Sequence, residues 1–264
     1  MKPHYCYNCG QKAVYNKIKP IDTALQNMWQ ISSKLAYLFN VREGSLCSIC
    51  GANVRAQGLA KAILNSKYGY GQKNLLEWAN QANKHDLKVC ELNSCHRLHD
   101  TLCGLKNLTY SEFGTKNEQN IEKLTYKDNQ FDLVLHSETL EHVSNPSQAM
   151  AECRRVVKKD GIILFTIPIV WDRPTRQRAK IEKGKIKTLL KRSYHGFKTD
   201  DYLVFYEYGF DVDRLLGARV AYTDWRRQNY VFTSGKSPIT ISVATKRRLK
   251  LFQSIATYGR EIYG

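Results

Sequence analysis

The chain has 264 residues, 42% of them hydrophobic and 25% charged, and its 41 Lys and Arg against 24 Asp and Glu give a formal charge of +17. That length suits one sizeable core plus a small appendage, and no apolar stretch approaches the roughly 20 residues needed to cross a bilayer as a helix. The positive balance excludes few partners but favours polyanionic ones: nucleic acid, an anionic membrane face, or phosphate-bearing small molecules.

The opening "MKPHYCYNCGQK" lacks the apolar core and small-residue cleavage site of a secretory signal, so a cytoplasmic protein is expected. In that compartment eight cysteines argue against a disulfide framework. Four of them form two matching motifs, "CYNCG" (Cys6, Cys9) and "CSICG" (Cys47, Cys50). The two-residue gap lets both thiolates of a pair reach one ion, and the glycine permits the tight turn. Two such turns complete a structural, tetrahedral Zn2+ site with no open position. A redox pair, or His4 in place of one thiolate, is the weaker reading. The residues between the pairs are expected to carry one helix around "DTALQNMWQISSKLAYLF". Residues 1–54 thus read as a zinc-binding satellite, 55–245 as the main domain and 246–264 as a basic tail.

Past the second pair, "NVRAQGLAKAILNSKYG" and "QKNLLEWANQAN" repeat apolar residues at helical intervals, and "LKVCEL" reads as a short buried strand. "NLTYSEF", "FDLVLHS" and "GIILFTIPIV" are further strands, with a helix in "PSQAMAECRRVVKK". "ARVAYTDW" and "NYVFTS" read as an antiparallel pair closing the sheet. Alternating strands and helices imply an α/β fold with a mostly parallel sheet covered on both faces. Ligands then bind beyond the carboxyl ends of the strands, near the switch point. Cys90, Cys95, Cys103 and Cys153 lack paired spacing and read as small hydrophobes.

The run "FDLVLHSETLEHVSNPSQAMAECRRVVKKDGIILFTIP" resembles class I S-adenosylmethionine-dependent methyltransferases of the type 11 kind. The likeness extends over roughly residues 85 to 217, and the paired C-x-x-C front end is similar to zinc-bearing members. The resemblance implies a Rossmann-like sheet and a set of cofactor contacts. In "VCELNSC", Glu91 falls on the acid of the family's first loop, and Asn93, Ser94 and Cys95 fall on the loop itself. Asn93 and Cys95 stand where the family has glycines; asparagine tolerates left-handed geometry better than most residues. Glu112, 21 residues past Glu91, matches the acid that binds the ribose hydroxyls. Asn120 and Ile121 flank the adenine, and His136 and Ser137 line the cofactor's floor.

Directly after that floor come Glu138, Glu141 and His142. If "SETLEHV" begins a helical turn, these residues at i, i+3 and i+4 share one face. One reading makes His142 a general base. In another, the set joins His195 to hold a catalytic divalent ion, similar to the metal site of small-RNA 3′-terminal 2′-O-methyltransferases and ubiquinone-pathway O-methyltransferases. A third leaves Glu141 and His142 structural. From Arg173 to Arg192 nine basic residues face one acid, Glu182. As a lid over 171–198, with Tyr194, His195 and Phe197 on its inner surface, this stretch implies an anionic acceptor. The expected activity is O-methylation of a small or carbohydrate acceptor with a negative group, such as a nucleotide sugar or glycan precursor. The alternatives are an RNA methyltransferase, a sugar C-methyltransferase and a non-enzymatic adaptor. The tail could make peripheral membrane contact.

Overall fold

The computed structural model describes residues 3–194, 202–224 and 229–234. Two short antiparallel ladders open the chain, β1 (His4–Tyr5) with β2 (Lys12–Ala13) and β3 (Tyr15–Lys17) with β4 (Ser45–Cys47). Between β3 and β4 the single expected helix is two, α1 (Thr23–Trp29) and α2 (Ser33–Gly44). The break is local. Gln30 takes a left-handed conformation at φ 52° and ends α1, and the Ser32 hydroxyl accepts the Leu35 amide at 3.2 Å to start α2. Ile21, Ile31, Leu35, Ala36 and Phe39 then pack with Val170, which fastens the two helices to the loop beyond the fourth parallel strand of the sheet.

Next come α3 (Val54–Asn65), capped by Asn53, and α4 (Leu75–Lys84). Then follow β5 (Val89–Leu92), α5 (Leu98–Leu102), β6 (Leu108–Ser111), β7 (Phe131–Ser137), α6 (Pro146–Val156) and β8 (Val157–Thr166). Helix α6 has proline in its first turn, where no amide partner is lost, and Asn145 caps it through the Gln148 amide. Short strands β9 (Arg176–Gln177), β10 (Ala179–Glu182), β11 (Lys185–Thr188) and β12 (Tyr206–Glu207) precede α7 (Val212–Leu216), β13 (Arg219–Asp224) and β14 (Asn229–Ser234).

The main sheet runs β13-β14-β8-β7-β5-β6. β6, β5, β7 and β8 are parallel, β14 is antiparallel to β8, and β13 is antiparallel to β14. All four expected parallel strands and the closing antiparallel pair are present. β5 is buried along its whole length, β7 at every residue but Asp132, because layers cover both faces. One face packs Met150, Cys153, Val212 and Leu216 from α6 and α7; the other packs Leu59, Ile63, Trp78 and Leu98 from α3, α4 and α5. α3 packs closely on β14: a Cβ on Gly58 would fall 2.1 Å from Asn229 Nδ2. The chain leaves β5 for β6 on one side and returns to β7 on the other, so a crevice opens between the carboxyl ends of β5 and β7. No helix among the described residues is long and apolar enough to cross a membrane.

Candidate active site

A cleft of about 910 Å³ lies at that crevice. Its lining includes Asn93, Ser94, Glu112, Asn120, Ile121, Ser137, Glu138, Glu141 and His142, so most of the residues singled out in the sequence converge there. Asn93 has φ 62°, the left-handed geometry its substitution for glycine requires. Its side chain holds the loop across the strand ends: Oδ1 accepts the Phe113 amide at 2.8 Å and Nδ2 donates to Thr139 Oγ1 at 3.3 Å. Glu112 follows β6 and accepts the Tyr110 hydroxyl. Asn120 Oδ1 accepts the Glu122 amide at 2.8 Å.

Two expected cofactor contacts lie beneath the cleft. Glu91 is fully buried; one carboxylate oxygen accepts the Cys95 amide at 2.8 Å and the other faces His99 Nδ1 at 2.7 Å. Burial pushes its carboxyl up against those two partners. Glu91 braces the loop 93–95 from below and does not line the cleft. His136 is likewise buried, its ring stacked on Phe165 at 4.7 Å, and burial pulls it down to about 3, which keeps it neutral.

The corner after β7 differs from a helical face. Glu138 sits alone in the left-handed region at φ 51°, its amide donating to the Thr166 carbonyl, and the only helical turn is a 3-10 turn, Leu140–His142. The Glu138 carboxylate is gripped by Arg42 of α2 through two hydrogen bonds of 2.8 and 3.1 Å, with Arg55 Nε 3.9 Å away. Burial alone raises a carboxyl, but here Arg42 and Arg55 outweigh it and hold Glu138 down to about 2. Arg42 also pairs with Glu43, and Glu43 with Arg55 at 3.0 Å. This four-membered network is missing from the sequence reading. Its signal was Arg42 itself, standing seven residues after Leu35 on the buried stripe of α2 with Phe39 between them. The expected ligand set is corrected accordingly. Glu138 turns its carboxylate to Arg42, and Glu138, Glu141 and His142 do not converge as metal ligands among the described residues. His195 lies outside the described residues.

His142 lines the cleft with Nδ1 3.1 Å from the Leu203 carbonyl oxygen and Nε2 3.7 Å from a carboxylate oxygen of Glu141, which is 1% exposed. The segment carrying Leu203 is pinned to the same corner. The Phe205 amide donates to the Glu141 carbonyl at 2.8 Å, and the Tyr208 hydroxyl donates to that of Leu140 at 3.1 Å.

The basic stretch divides into two. Arg173 and Arg178 are buried and serve as internal ties: Arg173 donates to the Trp29 and Gln30 carbonyls, and both arginines pair with Glu207, at 2.8 and 2.9 Å. Strands β10 and β11 form a hairpin whose turn residues, Lys183 and Gly184, both have positive φ. Its cleft-side residues are Ile181 and Ile186. The side chains of Lys180, Lys185 and Lys187 alternate with these along the strands and so point to the other face. The expectation of a positive inner lid is therefore corrected for these residues: the hairpin presents its apolar face to the cleft.

In the N-terminal ladders the four Sγ atoms of Cys6, Cys9, Cys47 and Cys50 lie within 4.8 Å of one another, and those of Cys6 and Cys50 are 3.6 Å apart. Gly10 and Gly51 take φ 75° and 71° in the paired turns. Zinc–sulfur arms of roughly 2.3 Å give tetrahedral edges of about 3.8 Å, so the four thiols fit a closed zinc site. Removal of zinc with a chelator, or Cys47→Ser with Cys50→Ser, is expected to lower Tm by roughly 10 °C or more and expose the first 54 residues to protease. An unchanged melting curve in both cases would refute a structural ion.

Residues 67–165 match the family described as a methyltransferase domain. Over this stretch the chain is similar to methyltransferase domains. The match covers the four parallel strands and the corner at His142; α2 and the β10–β11 hairpin, which also line the cleft, lie outside it. Comparison with curated proteins gives no match. Among solved structures, an S-adenosylmethionine dependent methyltransferase from Mesorhizobium loti is 15% identical, covering 66% of this chain and 77% of its own at a TM-score of 0.28. A SAM-dependent methyltransferase from Thermotoga maritima is 22% identical, covering 40% and 54% at a TM-score of 0.26. The chain spans about half the length of several solved structures it matches, 44% to 54% for five of them.

Proposed function

We propose that the protein transfers a methyl group from S-adenosylmethionine to a hydroxyl of a small, carbohydrate-class acceptor, with His142 as the base. The observation that carries this reading is the Nδ1 contact to Leu203. A carbonyl only accepts, so Nδ1 carries a proton, and the neutral ring keeps its lone pair on Nε2 for the acceptor's proton. The buried Glu141 carboxylate beside Nε2 balances the positive charge that results. When bound, S-adenosylmethionine supplies a methyl group already activated on sulfur, which leaves the chain to orient the acceptor, exclude water and take up one proton.

In this reading Glu112 accepts from both ribose hydroxyls, Asn120 and Ile121 flank the adenine, and Ser94 and Ser137 line the floor; all five line the cleft. Trp29, Phe39, Tyr202 and Phe205 also line the cleft and supply aromatic surface suited to the C–H faces of a sugar, and Glu118 offers a carboxylate to hydroxyls. The guanidiniums in the cleft are already paired with carboxylates, so a negative group on the acceptor fits better at the rim than beside the methyl. RNA draws less support, since the hairpin lysines face away from the cleft. Glu112→Ala is expected to raise the Kd for S-adenosylhomocysteine by about 10- to 100-fold in calorimetry, the range for hydrogen bonds to a charged group, with Tm unchanged. An unaltered Kd would remove Glu112 from the site, and no binding by the parent chain would favour the adaptor reading.

A further inference from the structure

We infer that the β10–β11 hairpin is a docking surface for an anionic phospholipid membrane, which holds the cleft mouth at the headgroup level. The hairpin joins two properties that a merely solvated face lacks. Lys180, Lys183, Lys185, Lys187, Lys191 and Arg192 stand against a single acid, Glu182, which pairs with Lys180 at 2.7 Å and Lys187 at 2.9 Å. On the hairpin's opposite, cleft-side face Ile181 and Ile186 are 54% and 51% exposed, and just past its second strand Leu189 and Leu190 are 43% and 38% exposed. The isoleucines are direct cross-strand partners and also line the cleft.

Cations that reach phosphate beside aliphatic chains that can enter the acyl boundary are the chemistry of an interfacial anchor, in which each basic residue adds to the attraction and the apolar groups add depth. An RNA surface needs aromatic platforms for bases. Between Arg176 and Arg192 there is no aromatic residue. Nor does the sequence after residue 234 offer a complement, since its six Lys and Arg face one acid, Glu261. Resting on the methyltransferase reading, this docking makes a lipid-carried acceptor the fitting substrate, its negative group at the rim and its hydroxyl reaching His142.

The test is sedimentation of the full chain with vesicles of phosphatidylcholine alone or with roughly one-third phosphatidylglycerol. Binding is read without turnover, so its failure is distinguishable from failure of methyl transfer. Binding to the anionic vesicles is expected to exceed that to neutral ones by at least about tenfold and to weaken with salt, since basic residues near a charged surface each contribute about fivefold. Lys180→Gln, Lys183→Gln, Lys185→Gln and Lys187→Gln together are expected to reduce it by at least about tenfold while leaving S-adenosylhomocysteine affinity unchanged. Ile181→Asn with Ile186→Asn is expected to reduce it at constant charge. Equal binding to both vesicle types, or full binding by the lysine variant, would overturn the inference. So would preferential, lysine-dependent binding of an RNA oligomer without vesicle binding, which would assign the face to nucleic acid.

Discussion

Arg42→Ala is expected to destabilise the protein by about 3 to 5 kcal/mol, because removing one partner of a buried ion pair leaves the other charge uncompensated. The Arg42 side chain is 2% exposed, and besides Glu138 and Glu43 it donates to the Ile167 carbonyl at 3.2 Å. For a chain of this size the loss corresponds to a fall in Tm on the order of 10 °C. Adding Glu138→Gln removes the stranded charge and is expected to recover part of that loss; a single variant as stable as the parent would contradict the network. The pH dependence has a definite sign. Glu138 lies at about 2 in the folded chain against an ordinary 4.5, so its contribution is fully present above 4.5 and is lost as pH falls towards 2. Denaturation at pH 7 and pH 3 should show a smaller difference in Arg42→Ala than in the parent. Because Arg42 belongs to α2, between the two cysteine pairs, this variant also tests whether the segment between those pairs is part of the cleft wall.

His142→Ala is expected to lower kcat by about 10²- to 10⁴-fold, the usual contribution of a positioned base, with the Kd for S-adenosylhomocysteine unchanged. The variant leaves the Leu203 carbonyl and the Glu141 carboxylate without the ring between them, so its Tm must be followed alongside. His142→Gln, which can still donate to Leu203 but takes up no proton, is the discriminating companion. If Gln restores turnover, the residue holds the 203–208 segment in place and is not the base. If both variants are equally inactive while folded and cofactor-competent, proton transfer is the remaining role. Full activity in either would remove the assignment.

The sheet was legible because its strands are buried on both faces and read as short continuous apolar runs, with turn and helix signals between them. The left-handed loop was legible in Asn93 for the same physical reason that glycine is common there. What escaped the sequence reading was the partnering of charge over distance. Arg173 and Arg178 look like part of a cationic lid until Glu207, 29 residues after Arg178, is seen between them. Glu91 looks like a ligand until both its oxygens are found occupied. Glu138 looks like one member of a helical face, but a single left-handed residue before the 3-10 turn sends its carboxylate to Arg42. The hairpin carried a signal in "KIEKGKIK": Lys-Gly at the turn and one isoleucine two residues to either side of it fix which face is apolar.

The central claim is best tested by a crystal structure with S-adenosylhomocysteine bound. The account predicts the ribose diol within hydrogen-bonding distance of the Glu112 carboxylate, the adenine beside Asn120 and Ile121, and the sulfur directed towards His142 Nε2 across open cleft. A nucleoside bound away from Glu112, or a sulfur separated from His142 by packed side chains, would contradict it.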